Sequence, residues 1–502
     1  MKRAADADRA DRAVIDIGSN TVRLVIYSGS PRAPSVWLNE KVSARLGRDL
    51  ARTGRIPEEA IEQAMQALRR FALILRDLDI ATVRTVATAA ARDAANGPQF
   101  IALVEALGLT VEVLSGTEEA ETAAYGALGA FPGAVGAIAD MGGGSLELGA
   151  IGNDGCSHPV SLPLGTLRLP ALREKGHKAF EQAIEAHLTQ ADWHQRRVPR
   201  LYLVGGTWRA LAAYAMDRRN YPLSDPHGLE IAREEALHLC AELSDTDPET
   251  LTDIAGINVS RAAGLPDAAA MLIPVLRSLS PEKLIVSAWG LREGVLFRDL
   301  PAQVRAADPL LAAAERFTGS RGVSYNHAVR VAGWTSEAIR GLTPGSGNER
   351  VRLAFTMLAL AQQRLEPNMR LSHARDWALD KRWIGLSHRG KAMMAAALSA
   401  ASGKPAIDEA HLDLATREDL YAASAWGLAF RLCRRVGAGS RISIMTSRLS
   451  RDGDTLTLWL VDERADLLSH HVQSDCDRLA EWLGCTASIR VGGTAAEMAS
   501  SA

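Results

Sequence analysis

The sequence is short of cysteine, of net charge and of long apolar runs, and each shortage removes a class of function. Its five cysteines (Cys156, Cys240, Cys433, Cys476 and Cys485) include no C-x-x-C pair. Neither a disulfide framework nor a zinc site is signalled, and a reducing cytoplasm fits best. Lysine and arginine number 57 against 59 aspartates and glutamates, a formal charge of -2 that argues against a generally cationic nucleic-acid binder. The longest apolar stretch, residues 268–276, stops at Arg277 and is too short to cross a bilayer, so no membrane partner is expected. The opening MKRAADADRADR alternates acids and bases without an apolar core, which excludes a secretory signal and reads as a disordered tail over residues 1–12. No G-x-G-x-x-G opens a βαβ unit, so a dinucleotide site has no support. The histidines form no metal-ligand spacing.

What is present is α/β patterning on a globular composition, in a chain of 502 residues that has room for several domains. From residue 13, AVIDIGSNTVRLVIY reads as strand, glycine turn, strand. Pro57 opens a helical stretch in which Ile61, Met65, Leu68, Ala72 and Leu75 recur at spacings of three and four. A second glycine hairpin, AIADMGGGSLELGAI, starts near Ala137, and its Asp140-Met141-Gly142 echoes Asp16-Ile17-Gly18, which reads as an internal duplication. A third glycine turn, LYLVGGTWRAL, follows an apolar strand and opens a helix. Around residues 301–309 the strands run out and long Ala/Leu/Arg-rich helical patterns take over. From Arg441 a β-hairpin turning at Asp452-Gly453, then a helix and a strand, form a small α+β unit.

The glycine turns carry the candidate chemistry. DIGSNT (residues 16–21) and DMGGGS (residues 140–145) each set an acid at a strand end before residues able to present backbone N–H groups, a concave anion site. Either turn alone is an ordinary tight turn. As a matched pair on two halves of a duplicated fold, they can grip a phosphate chain from both sides of a cleft, with Asp16, Asp140 and Glu147 left to hold a divalent cation such as Mg²⁺. Ser115-Gly116-Thr117-Glu118 has capping-box spacing, so Glu118 serves the cap while Glu119, about 100° further round the helix, is chosen for the cleft. Arg92, one turn into a helix after Thr88, offers a fork for a phosphoryl group or pairs with Asp93. Residues 385–391 have P-loop spacing, but Ala392 stands where a Mg²⁺-binding Ser/Thr belongs. Arg375, Lys381, Arg382, Arg389 and Lys391, interleaved with Trp377 and Trp383, read as a solvated face or as a basic track for a long polyanion.

Seven ordered segments, VIDIGSNTVRLVI, VATAAARDAANG, VLSGTEEAETAAYGAL, AIADMGGGSLELG, SLPLGTLRL, LYLVGGTWRAL and VSAWGLREGVL, together resemble the exopolyphosphatase/guanosine pentaphosphate phosphohydrolase family, long form, of the actin-like ATPase superfamily. The resemblance implies an α/β fold of duplicated actin-like (ribonuclease H-like) domains over residues 13–125 and 126–305 with a cleft between them. An all-α HD-like domain over 306–440 and a small α+β domain over 441–502 would follow. It makes Glu119 the catalytic carboxylate, Arg92 the phosphate-facing arginine, and Asp140 and Glu147 the Mg²⁺-associated acids, another divalent ion being possible. Asp16 accompanies these acids from the first hairpin. Gly18, Ser19, Asn20, Thr21, Gly142, Gly143, Gly144 and Ser145 become phosphate-binding, and Gly205, Gly206 and Thr207 match a turn that lies near the nucleoside in related kinases. A cytoplasmic homodimer is implied as well. The chain departs from the long form in one respect: it has no His-Asp dipeptide, so residues 306–440 are read as a substrate-holding or dimerising module with Lys381, Arg382 and Arg389 along a polyphosphate channel.

The activity so implied is Mg²⁺-dependent release of orthophosphate from inorganic polyphosphate, with Glu119 as general base. Removal of a phosphate from guanosine pentaphosphate is the alternative. An ATP-dependent kinase on the same fold and a non-catalytic polyphosphate sensor are remoter ones.

Overall fold

The β-branched runs around the first glycine turn form β1 (Arg12–Ile17) and β2 (Val22–Ser30), and the chain continues into β3 (Ala33–Val42). The amphipathic stretch is α1 (Glu58–Asp77); it buries Ala60, Ala64, Met65, Ala67, Leu68, Phe71 and Leu75, one stripe at helical spacing. Next come β4 (Thr82–Ala87), the short α2 (Ala89–Asp93), β5 (Val111–Val113) and α3 (Gly116–Ala130). The second half repeats the pattern with β6 (Gly136–Met141), β7 (Leu146–Gly152), β8 (Gly155–Leu162), β9 (Arg200–Val204), α4 (Gly206–Arg218), β10 (Glu230–Ala232), β11 (Lys283–Ser287) and α5 (Leu291–Arg298). This computed structural model describes residues 10–342 and 347–493.

Two sheets follow the same order. The first runs β3-β2-β1-β4-β5 and the second, read from its other edge, β8-β7-β6-β9-β11-β10. In each, an antiparallel three-strand meander adjoins parallel strands, and the meander's first hairpin carries a glycine turn. The turns are closed alike, by Gly18 N donating to Thr21 O (3.0 Å) and Gly142 N to Ser145 O (2.9 Å). The duplication legible in the sequence is therefore a duplication of topology, the actin-like arrangement. Separate apolar clusters support the halves: one around Ile15, Leu24, Leu68, Phe71 and Phe100, another around Ala124, Ile138, Tyr202 and Ile285.

The chain divides into two compact units, Met1–Pro309 and Leu310–Ala502, and both sheets lie in the first. The second unit holds helices that include α6 (His388–Ala401) and α7 (Arg417–Gly437). It then forms a small sheet in the order β12 (Ser447–Asp452), β13 (Thr455–Leu460), β14 (Thr486–Val491), with α8 (His470–Trp482) between the last two strands. Gly453, at φ 52°, supplies the left-handed residue that the β12–β13 turn requires. Of the tail expected over residues 1–12, the first nine lie outside the described residues. The last three belong to the fold instead: Ala10 is buried, Asp11 N donates to Tyr27 O (3.2 Å) and Arg12 opens β1, because β2 is long enough to pair that far back. All five cysteines are free, and among the described residues no helix is long and apolar enough to cross a membrane.

Candidate active site

Strand register builds the site. Residues paired across adjacent strands point to the same face of a sheet. In the first sheet, Asp16 pairs with Arg23 and Arg23 with Lys41. In the second, the equivalent row pairs Asp140 with Glu147 and Glu147 with Ser161. The duplicated scaffold thus offers two matching rows, one setting Arg23 and Lys41 beside Asp16 and the other Glu147 and Ser161 beside Asp140. Both face a cleft of about 640 Å³ within the first unit, lined also by the two glycine turns, by Glu119 and by Gly205, Gly206 and Thr207.

The turns stand close together. A Cβ on Gly144 would lie 2.8 Å from Ser19 Oγ and one on Gly143 would lie 3.2 Å from Asn20 Cβ, so side chains there would push the two hairpins apart. The SLPLGTLRL segment braces the second turn from behind, with Thr166 N donating to Gly142 O (3.1 Å) and Leu167 N to Gly143 O (2.9 Å).

Glu119 enters from α3. Ser115 and Glu118 cap that helix reciprocally: Glu118 N donates to Ser115 Oγ (3.2 Å) and Ser115 N to Glu118 Oε2 (2.8 Å). Glu119, next in sequence, is only 9% exposed and reaches the cleft. Burial pushes its carboxyl up to about 7, the nearby Asp140 and Asp16 charges adding to this and Arg92 opposing it. Arg92 Nη1 donates to Glu119 Oε2 (3.3 Å) and to Leu114 O (3.0 Å). Among the described residues lining the cleft Arg92 is not one, so it touches the site through Glu119.

Glu147 is buried too, and Asp140 is half-buried beside it. Burial, then the charge of Asp16, raises Asp140 to about 6, against the opposing pull of Arg292. Burial and the charges of Glu119 and Asp140 raise Glu147 well above the ordinary carboxyl range, although Ser161 Oγ donates to its Oε1 at 2.8 Å. Asp16 is already engaged, its Oδ2 accepting from Arg292 Nη1 at 2.7 Å. No group of three or more His, Cys, Asp or Glu side chains is arranged to cage a metal ion among the described residues. The donor set nonetheless suits Mg²⁺, which binds through one or two carboxylates and completes its shell with waters and substrate phosphates. Asp140 and Glu147 are two such hard donors, crowded by like charge that a cation would relieve.

The same cleft holds a group of cations that the sequence reading did not single out. Arg23, Lys41, Arg209, Arg261 and Arg292 all line the cleft. Burial lowers Arg209 to about 9 and Arg23 to about 10, with neighbouring arginines adding repulsion, and Lys41 is lowered for the same reasons. Arg292 is paired with Asp16, and the further cations gathered around it make a site for a multivalent anion. For three of them the signal lay inside the recognised segments: Arg23 pairs across the hairpin from Asp16, Arg209 is one turn into the helix after Gly205, and Arg292 follows Gly290, whereas Lys41 and Arg261 lie outside those segments. Spacing alone did not say which face each would take. Trp208, beside that third turn, is fully buried and donates through Nε1 to Ala139 O (3.0 Å), so it belongs to the core.

Lys381, Arg382 and Arg389 lie in the second unit. The Lys381 ammonium sits over the rings of Phe317 and Trp383, 5.2 and 4.8 Å from their centroids. Arg389 donates through Nε to Asp419 Oδ2 (2.7 Å) and through Nη1 to Asn348 Oδ1 (3.2 Å). Arg382 is exposed. In the P-loop look-alike, Lys391 is buried and donates to Leu379 O (2.9 Å), so it does not present its charge to a phosphate.

The profile of the Ppx/GppA phosphatase family matches residues 25–303, more than half of the chain. The chain belongs to the Ppx/GppA phosphatase family. A solved Ppx/GppA family member from Aquifex aeolicus is 28% identical, with a TM-score of 0.50, and the match covers 57% of this chain and 96% of that one. A solved exopolyphosphatase from Cytophaga hutchinsonii, 24% identical with a TM-score of 0.52 over 59% of this chain and 98% of that one, shares the fold. Retrograde regulation protein 2 of Saccharomyces cerevisiae is 28% identical over an alignment of 427 residues that covers 77% of this chain and 71% of the yeast protein. Ppx/GppA membership places this chain among phosphatases and agrees with an α/β, actin-like first unit.

Proposed function

We propose that this Ppx/GppA protein hydrolyses the terminal phosphoanhydride of inorganic polyphosphate and releases orthophosphate. The observation that carries the reading is a buried carboxylate, Glu119, in a cleft lined both by the acids Asp140 and Glu147 and by a group of cations. A phosphate chain needs cationic lining along its length. Its reacting end needs a base and a place for a divalent ion. Phosphoryl transfer asks for positioning and charge compensation more than for covalent chemistry.

In this reading Arg209, Lys41 and Arg23 hold the body of the chain, and the N–H groups of the two glycine turns take oxygens of the terminal phosphoryl group. Glu119 accepts a proton from a water, whose oxygen bonds to the terminal phosphorus while the bond to the bridging oxygen breaks and the shortened chain leaves. Asp140 and Glu147 would hold Mg²⁺, which when bound supplies positive charge to the anhydride oxygens. The cleft cations of the first unit are better suited to grip the polymer than Lys381 and Arg389, whose charges are already engaged.

Two predictions arise here. A carboxyl with a pKa of about 7 is protonated below that pH and cannot accept the proton. The acid limb of the kcat/KM profile, which reports the free enzyme, should therefore fall as pH drops through about 7, not near the ordinary glutamate value of about 4.3. Arg209→Met should raise KM for polyphosphate about tenfold, the worth of one charge-assisted contact, with kcat changed less than about threefold. Steady-state phosphate release checks both.

Guanosine pentaphosphate also ends in a phosphoanhydride, and the family name includes activity on it. Turnover of polyphosphate against guanosine pentaphosphate in direct competition tests the proposal: preferential use of the polymer supports it, and turnover of the nucleotide alone replaces it. The name of the yeast relative brings in a regulator, for which binding without phosphate release would be the outcome.

A further inference from the structure

Arg92 is held at three points. Its Nε donates to Asp93 Oδ1 (2.9 Å), and its Nη1 donates both to Leu114 O (3.0 Å) and to Glu119 Oε2 (3.3 Å). The second oxygen of Asp93 lies 3.7 Å from Arg168 Nη2. Arg168 belongs to the segment that braces the second glycine turn. A line of alternating charge therefore runs Arg168, Asp93, Arg92, Glu119, from the brace of one half of the fold through α2 of the other to the buried carboxylate. All four side chains lie within the first unit and none is more than 39% exposed.

We propose that Asp93 is a positioning residue for the reaction: it fixes the Arg92 guanidinium so that Arg92 in turn sets the place and the charge of Glu119, with Arg168 tying Asp93 to the opposite half. This rests on the reading of Glu119 as the base. The geometry requires an anchor on Nε, because α2 spans only Ala89–Asp93 and gives Arg92 little helix to hold it. Arginine is a rigid planar fork, so fixing Nε and one terminal nitrogen fixes the whole group. Asp93 also takes a share of the Arg92 charge, leaving Glu119 less of it. The other groups that bear on Glu119 are Asp16 from β1, Asp140 from β6 and Glu147 from β7, all acids. Arg92 is thus the cation that counts for Glu119, and what holds Arg92 controls the base.

Two substitutions separate position from charge. Asp93→Asn keeps an acceptor for Nε and removes the competing charge; the acid limb of kcat/KM should move to lower pH by about half a unit while kcat on its plateau stays within about threefold. Asp93→Ala removes the anchor; kcat should fall about tenfold with KM changed less than about twofold, the low end for loss of an orienting partner. Melting temperatures of both should match the wild type. An unmoved acid limb in Asp93→Asn together with unchanged kcat in Asp93→Ala overturns the proposal, and so do kcat, KM and melting temperature all worsening together. If the wild type releases no phosphate from either substrate, the parent reading fails on its own. The ¹³C-carboxyl titration of Glu119 without substrate, assigned by its loss in Glu119→Gln, then decides this inference: a lower midpoint in Asp93→Asn supports it, and an unchanged midpoint ends it.

Discussion

Glu119→Gln is expected to lower kcat for phosphate release by about 10² to 10⁴, the usual worth of a positioned base, with KM nearly unchanged. Glutamine preserves the size of the side chain and its acceptor toward Arg92, so the fold should persist. It also removes one of the buried like charges crowding Asp140 and Glu147. The variant should therefore melt at or slightly above the wild-type temperature while losing turnover. Calorimetry beside steady-state kinetics checks this, because a fold defect would lower both. A catalytic carboxylate held buried among other acids is stability given up for function, and its removal should show that trade.

The second large effect is expected from a residue that touches no substrate. Gly294 on α5 lies so close to α3 that a Cβ there would fall on the carbonyl of Thr122, one turn beyond Glu119, and a Cβ on Gly126 would fall on Gly290 O. Backbone meets backbone, and no rotamer change makes room. Gly294→Ala should destabilise the first unit by about 3 kcal/mol, the upper range for overpacking, and push α5 away from α3. Because α5 carries Arg292, which holds Asp16, and α3 carries Glu119, activity should fall with stability. A melting temperature several degrees lower, with kcat reduced at temperatures where the protein is still folded, is the expected pair of readings. Unchanged melting would mean that the two helices have more slack than their packing indicates.

Much of this was legible in the chain. The glycine turns announced themselves as breaks in β-branched runs, and the echo of Asp16-Ile17-Gly18 in Asp140-Met141-Gly142 exposed the duplication before any strand was paired. The choice between Glu118 and Glu119 followed from capping chemistry, which is local. Contacts between distant segments were not legible. That Arg23 and Lys41 share a row with Asp16, as Glu147 and Ser161 do with Asp140, is a matter of strand register, and register is set by which strands become neighbours. Arg292 sat in a quoted segment, yet its bond to Asp16 spans 276 positions of sequence. The basic face expected of Lys381 and Arg389 shows the opposite difficulty: charges that look available in a string of residues are engaged once aromatic rings and Asp419 pack beside them.

Phosphate release by the purified full chain from polyphosphate of defined length, followed with Mg²⁺ present and again after chelation by EDTA, bears most directly on the assignment of this cleft. Steady liberation of orthophosphate that EDTA stops and Mg²⁺ restores is the predicted result. No release under any divalent ion, from polymer or from guanosine pentaphosphate, by protein that binds them and melts cooperatively, would contradict it.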